Sequence, residues 1–177
     1  MRTTLFAALI TLPATTFAAG GDDWSAPKPT QTTKECKGAK VWDQKSGKCV
    51  DPKRSSLDAD TLYGAVRELA YAGRLREAQE VLAIMPDQAS PRVLTYWGFT
   101  HRKLGHLDLA NQYYERAIAK DPDNHLARSY MGQGFVEEGK LGLALTQWKE
   151  IRKRGGTGSW PEEALHQALL TGQTSSY

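Results

Sequence analysis

From Leu57 to the end of the chain, apolar residues return every three or four positions, and glycine and proline stand at the breaks. That period marks the buried face of an amphipathic helix. Three stretches carry it: "LDADTLYGAVRELAYAGRLREAQEVLAIMP", "PRVLTYWGFTHRKLGHLDLANQYYERAIAKDP" and "NHLARSYMGQGFVEEGKLGLALTQWKEIRKRG". Each reads as two helices, with turns at Ala72-Gly73-Arg74, Leu104-Gly105-His106 and Glu138-Gly139-Lys140. The segment 159–173, "SWPEEALHQALLTGQ", reads as one more helix. Ser159 is its expected N-cap, Glu162 completes a capping box, and Leu165, Ala168 and Leu169 form its apolar stripe. Residues 174–177 are expected to fray.

The three stretches repeat one another. Gly98 and Gly132 are 34 residues apart, as are Gly105 and Gly139, and Ala110 and Ala144. The middle copy, 91–124, resembles the tetratricopeptide repeat, with Leu94, Trp97, Gly98, Gly105, Ala110, Tyr114, Ala117 and Pro122 at the motif's spacing. His101 stands where an aromatic is usual. The third copy, 125–158, offers Met131, Gly132, Phe135, Gly139, Ala144, Trp148 and Ile151, with Gly156 in place of proline. The first copy, 59–90, is about two residues short and has Val66 for the small first-helix residue, though Gly73, Ala78 and Leu82 align.

The resemblance implies an all-α solenoid of about three helix–turn–helix units over 57–158. In it Leu82, Tyr114 and Trp148 would fill the gap to the next helix. The helix of 159–173 would cap the third unit, Leu165 beneath Met131 and Leu169 beneath Phe135. A lone helix pair cannot cover its own apolar face, so the copies stack. In this family the first helix of each unit lines a concave face. Here that face would receive Tyr63, Arg67 and Tyr71, then Arg92, Tyr96, Phe99, Arg102 and Lys103, then Tyr130, Gln133 and Glu137. Exposed tyrosines interleaved with arginines suit an extended peptide or a protein partner. The Lys and Asn pattern by which some family members clamp a peptide C-terminus is missing.

Upstream the helical period disappears. "MRTTLFAALITLPATTFA", 1–18, has one early positive charge, a short apolar run and small residues at a cleavage site, the plan of a secretory signal peptide. Its apolar run falls short of the roughly 20 residues that span a bilayer. The mature chain would start near Ala19, without a lipid-anchor cysteine, and would be periplasmic or secreted. Residues 19–34 read as a flexible linker with Trp24 in it. Residues 35–56 hold both cysteines, Cys36 and Cys49. Export past the cytoplasmic reductants makes these a disulfide pair, expected to close a small hairpin turning at Asp43–Gly47. Their spacing is neither the Cys-x-x-Cys of an oxidoreductase nor a zinc set.

Charge adds little. Residues 19–56 carry eight Lys/Arg against five Asp/Glu, and 57–177 carry fourteen against fifteen. Such a balance asks for no nucleic acid, and "WKEIRKRG", 148–155, is a basic helix end of the kind the helix dipole favours. His101, His106, His125 and His166 make no metal-ligand spacing, and no nucleophile–base pair or phosphate-cradling loop occurs. The sequence implies no enzyme, metal or cofactor. It points to an exported module that binds an envelope protein or an extended peptide. The alternative is a cell-wall or carbohydrate-binding protein using the Cys36–Cys49 loop, on Trp42 and its neighbouring lysines.

Overall fold

The computed structural model describes residues 28–174. The leader expected over 1–18, the linker up to residue 27 and the end beyond Thr174 lie outside the described residues. The elements run α1 (Gln31–Glu35), β1 (Val41–Asp43), β2 (Lys48–Val50), α2 (Ala59–Tyr71), α3 (Leu75–Leu82), α4 (Pro91–Lys103), α5 (Leu107–Lys120), α6 (His125–Glu137), α7 (Leu141–Lys153) and α8 (Trp160–Thr171).

Three antiparallel pairs, α2–α3, α4–α5 and α6–α7, stack side by side, and α8 closes the far end against α6 and α7. Local chemistry sets the boundaries. Asp58, Ser90 and Asn124 each accept a backbone N–H at the start of α2, α4 and α6, which satisfies a donor the helix cannot. The second helices α3, α5 and α7 follow tight turns at Gly73, Gly105 and Gly139, whose φ values are 72°, 84° and 72°. The left-handed region is open to glycine at no steric cost.

Close approach explains the other repeated glycine. A Cβ on Gly98 would sit 2.5 Å from the Tyr114 ring, so the first and second helices of the middle unit cross where neither could carry more bulk. In the third unit a Cβ on Gly132 would meet Leu165 of α8 at 2.6 Å. Trp148 is half-buried and reaches the next helix, stacking on His166 of α8 at 5.2 Å, while the fully buried Leu165 of α8 takes the place against Gly132. The capping box is corrected. Ser159 precedes α8, but its hydroxyl donates to the Gly156 carbonyl at 2.6 Å, and Glu162 accepts from the Gly158 amide rather than from Ser159.

At the near end a second cap is built without a core of its own. β1 and β2 pair antiparallel, Val41 opposite Val50 and Trp42 opposite Cys49. Asp43 holds the turn, accepting from the Lys45 amide and the Ser46 hydroxyl at 3.0 and 2.7 Å. Cys36 and Cys49 are joined, and closing a loop of this length contributes about 3 kcal/mol by the chain-entropy model. Val41 joins the repeat core, and Arg74 donates to the Gly38 carbonyl at 2.7 Å. The linker expected over 19–34 ends before α1. Thr30 and Thr33 each give a backbone N–H and a hydroxyl to the Glu68 carboxylate of α2. Four donors on one buried carboxylate outweigh the chain entropy that the composition favoured.

Candidate functional site

The first helices α2, α4 and α6 run side by side, on the side of the stack that the repeat register marks as inner. Their aromatic side chains make a continuous ladder. Tyr63 meets Tyr96 edge-on at 5.6 Å, and Phe99 packs on Tyr130 at 4.7 Å and on Tyr71 at 5.5 Å. The Tyr71 and Tyr130 hydroxyls are hydrogen-bonded to each other. Trp160, the first residue of α8, closes on both at 6.2 and 6.3 Å. Arg67 donates its Nε–H to the Tyr96 hydroxyl at 3.4 Å.

The structure therefore brings the expected residues together but does not leave them exposed. Tyr96, Phe99, Tyr130 and Gln133 are 0 % exposed, and Tyr63, Arg67, Tyr71 and Arg102 are also buried. Arg92 and Lys103 keep partial exposure, and Glu137 is exposed. Side chains from three adjacent helices meet one another before they meet solvent, and none of the buried ladder residues is without a partner.

The two ends of the face differ. At the N-terminal ends of α4 and α6 a cavity of about 430 Å³ opens between Tyr63, Arg92, Thr95, Asn124 and Leu126, with Asp121 and Asp123 at its rim. Arg92 lies over the Tyr63 ring at 4.9 Å and is paired with the exposed Asp60 at 2.6 Å. Asn124 donates to the Thr95 hydroxyl at 3.1 Å. At the C-terminal ends Arg102 Nη1 donates to Glu137 at 2.7 Å. Burial opposes the Arg102 charge, but the nearby Tyr114 and Glu137 oxygens outweigh it and hold its pKa above the ordinary value. Burial also lowers the Lys103 pKa, with the Arg102 charge adding to it. Trp160 was missed by the sequence reading, although the 34-residue register that runs from Arg92 to Leu126 leads directly to it. Asp60 was missed because the first copy is short, which shifts its register.

Elsewhere the chemistry is structural. His101, Trp97 and Tyr113 form a cluster of three rings in mutual contact, and His101 Nδ1 lies 3.3 Å from that of His106. Burial, then the charge of His106, lowers the His101 pKa. The basic run ending α7 is largely paired: Arg154 with Asp123 and Glu150, and Lys153 with Glu150. Among the described residues no three His, Cys, Asp or Glu are grouped to hold a metal, and no helix is long and apolar enough to cross a membrane.

Residues 91–124, which span α4 and α5, match the family model of the tetratricopeptide repeat. No curated protein and no solved structure matches the chain. The chain contains a tetratricopeptide repeat, and such a repeat is a protein–protein interaction element of a typically non-catalytic family.

Proposed function

We propose that the protein is an exported, non-catalytic interaction module that receives an extended peptide, or an extended segment of an envelope protein, at the inner face of the stack. The observation that carries this reading is the open cavity at the N-terminal end of that face, shared between the matched repeat and its neighbours, where Arg92 and Tyr63 stand side by side. Tyr63 and Leu126 offer apolar walls. Arg92 spends its charge on an exposed aspartate, a pairing worth little at a surface, so a partner carboxylate can take it over. The buried ladder beneath keeps these groups in place, since a rigid platform reduces the entropy lost on binding. Support for export comes from the leader-like N-terminus and from the Cys36–Cys49 disulfide, which persists in oxidising compartments.

Affinity capture from an envelope extract, followed by crosslinking to the purified partner, tests the site. Arg92→Glu should abolish crosslinking while the circular dichroism melt stays unchanged. Equal crosslinking by that variant would move the partner off this face. Fractionation with N-terminal sequencing tests export, and a mature form starting near Ala19 outside the cytoplasm is the expected result.

A second reading assigns carbohydrate binding to the cysteine loop. Its support is a polar cavity of about 650 Å³ beside the hairpin, lined by Asp43, Lys45, Arg54 and Asp58 among others. Trp42, on which that reading first rested, is half-buried and does not line it. Co-sedimentation with purified cell wall that Lys45→Ala and Arg54→Ala abolish would favour it over the groove.

A further inference from the structure

Each of the three units passes from its first helix to its second through the same turn. In the middle unit the His106 amide donates to the His101 carbonyl at 2.9 Å, and the Gly105 amide donates to the Arg102 carbonyl at 2.9 Å. Two such bonds around a left-handed glycine fold the chain back over the end of the helix. They bring together the side chains that precede and follow the turn by the same pattern, five positions apart. The first and third turns repeat it, with Arg74 donating to the Leu69 carbonyl at 2.9 Å and Lys140 to the Phe135 carbonyl at 2.8 Å. There the two positions hold an apolar residue and a cation. In the middle turn both hold histidine.

Five positions is no ligand spacing along a straight helix, where neighbours are three and four apart. Across this turn it becomes one. His101 Nδ1 and His106 Nδ1 lie 3.3 Å apart, while the ring centroids are 5.5 Å apart. The two nitrogens are therefore the corners by which the rings face each other. Their separation exceeds the about 2.7–3.2 Å usual between an N–H donor and its acceptor. It fits the bite of one ion: two nitrogens each about 2.0–2.1 Å from zinc, at a tetrahedral angle, stand about 3.3–3.4 Å apart. Packing supplies the aim. His101 is half-buried and touches the Trp97 and Tyr113 rings at 5.8 and 5.5 Å, so the cluster that packs it also directs it. His106 is exposed and makes no capping bond to α5, which leaves its ring open to an ion from solvent.

We propose that His101 and His106 form a two-imidazole chelate for a divalent ion of zinc's class, seated at the turn between α4 and α5, with the ion's other positions taken by water. Imidazole suits zinc, copper and nickel, whereas magnesium and calcium take oxygen ligands. The site is separate from the Arg92 cavity. Arg92 stands in the first turn of α4 and His101 in its last, nine residues or about 13 Å apart along the axis. The ion would join the end of one helix to the start of the next, within the matched repeat.

Zinc chloride titrated into the full-length protein tests this without a partner. Nitrogen NMR of the histidine rings should show zinc shifting Nδ1 of both His101 and His106. By calorimetry, His101→Gln and His106→Gln should each weaken zinc binding by about tenfold or more, since each removes half of the protein's ligand set. Because His106 is exposed, His106→Gln should keep the wild-type urea midpoint in the absence of metal, which separates a lost ligand from a lost fold. Magnesium chloride should shift neither ring. No ring shift in excess zinc, a shift of only one of the two rings, or zinc binding that His106→Gln leaves unchanged would each overturn the chelate. The pair would then be a plain contact of the turn. None of these readouts involves partner capture, so the metal site stands or falls apart from the interaction function.

Discussion

Helices α6 and α7 belong to one unit and are joined by one glycine turn, yet they are buried in opposite ways. Every residue of α6 from His125 to Val136 is buried, among them Arg128, Ser129 and Gln133. In α7 only Ala144 and Ile151 are buried, while Leu141, Leu143 and Leu145 are 52, 51 and 39 % exposed. Composition alone would assign the leucines to the interior and the arginine to solvent. Position in the stack decides instead. Among the described residues, helix α6 packs mainly against α4, α5, α7 and α8, and α7 mainly against α6 and α8. The polar groups of α6 are accommodated because they find partners: Arg128 donates to the Pro122 carbonyl and Gln147, and Gln133 to the Ser129 hydroxyl. Buried polar groups cost most when left unpaired.

Substitutions matched across the two helices should separate them. The largest effect is expected for Tyr130→Ala, which removes a fully buried ring from the ladder. It should cost about 3–5 kcal/mol in urea unfolding. A cost similar to that of a surface change would mean the ladder is not packed as described. Next comes a pair of opposite sign. Gly132→Ala places a methyl 2.6 Å from Leu165 and should cost about 1–3 kcal/mol, partly recovered by Leu165→Ala. Gly142→Ala in α7 meets nothing within 4 Å and should stabilise by about 0.5–1 kcal/mol, since glycine weakens a helix interior. Loss of stability in both would erase the distinction.

A smaller effect should appear with pH. Burial lowers the His125 pKa, and its Nε2 lies 3.1 Å from the Arg154 carbonyl. The unfolded chain therefore takes up a proton first, at about 6.5, and the folded chain does so only at lower pH. Stability should fall as pH drops from about 6.5 towards the folded-state value. Urea midpoints at a series of pH values should show this slope, flattened in His125→Gln. The smallest effect belongs to the leucines of α7. Leu141→Ser and Leu145→Ser should each change stability by less than about 0.5 kcal/mol, as surface substitutions do. A large cost would reveal that these side chains are covered in the working protein.

Much of this scaffold could be read from spacing. Gly73, Gly105 and Gly139 announce the turns, and Gly98 and Gly132 announce close crossings, because their roles recur at a fixed interval. The disulfide followed from two cysteines in a chain read as exported. What escaped the reading depends on contacts between distant positions. Glu68 gathers donors from Thr30 and Thr33, more than 30 residues away, so α1 looked like linker. Leu165 of α8, rather than a residue of α7, lies nearest Gly132 because α8 folds back on α6. The register marked Tyr96 and Phe99 as facing inward, but their burial depends on Tyr63, Tyr71 and Tyr130 meeting them from α2 and α6. Periodicity within one unit does not encode those contacts.

The hairpin has a consequence for how the chain would respond to a protease. Its turn, Gln44 to Lys48, is exposed throughout and offers two lysines. A cut there falls inside the ring closed by Cys36 and Cys49. The two fragments would remain one molecule, held on one side by the continuous chain into α2 and on the other by sulfur and the Glu68 clasp. Such a nick would go unseen on a non-reducing gel and appear only once thiol is added.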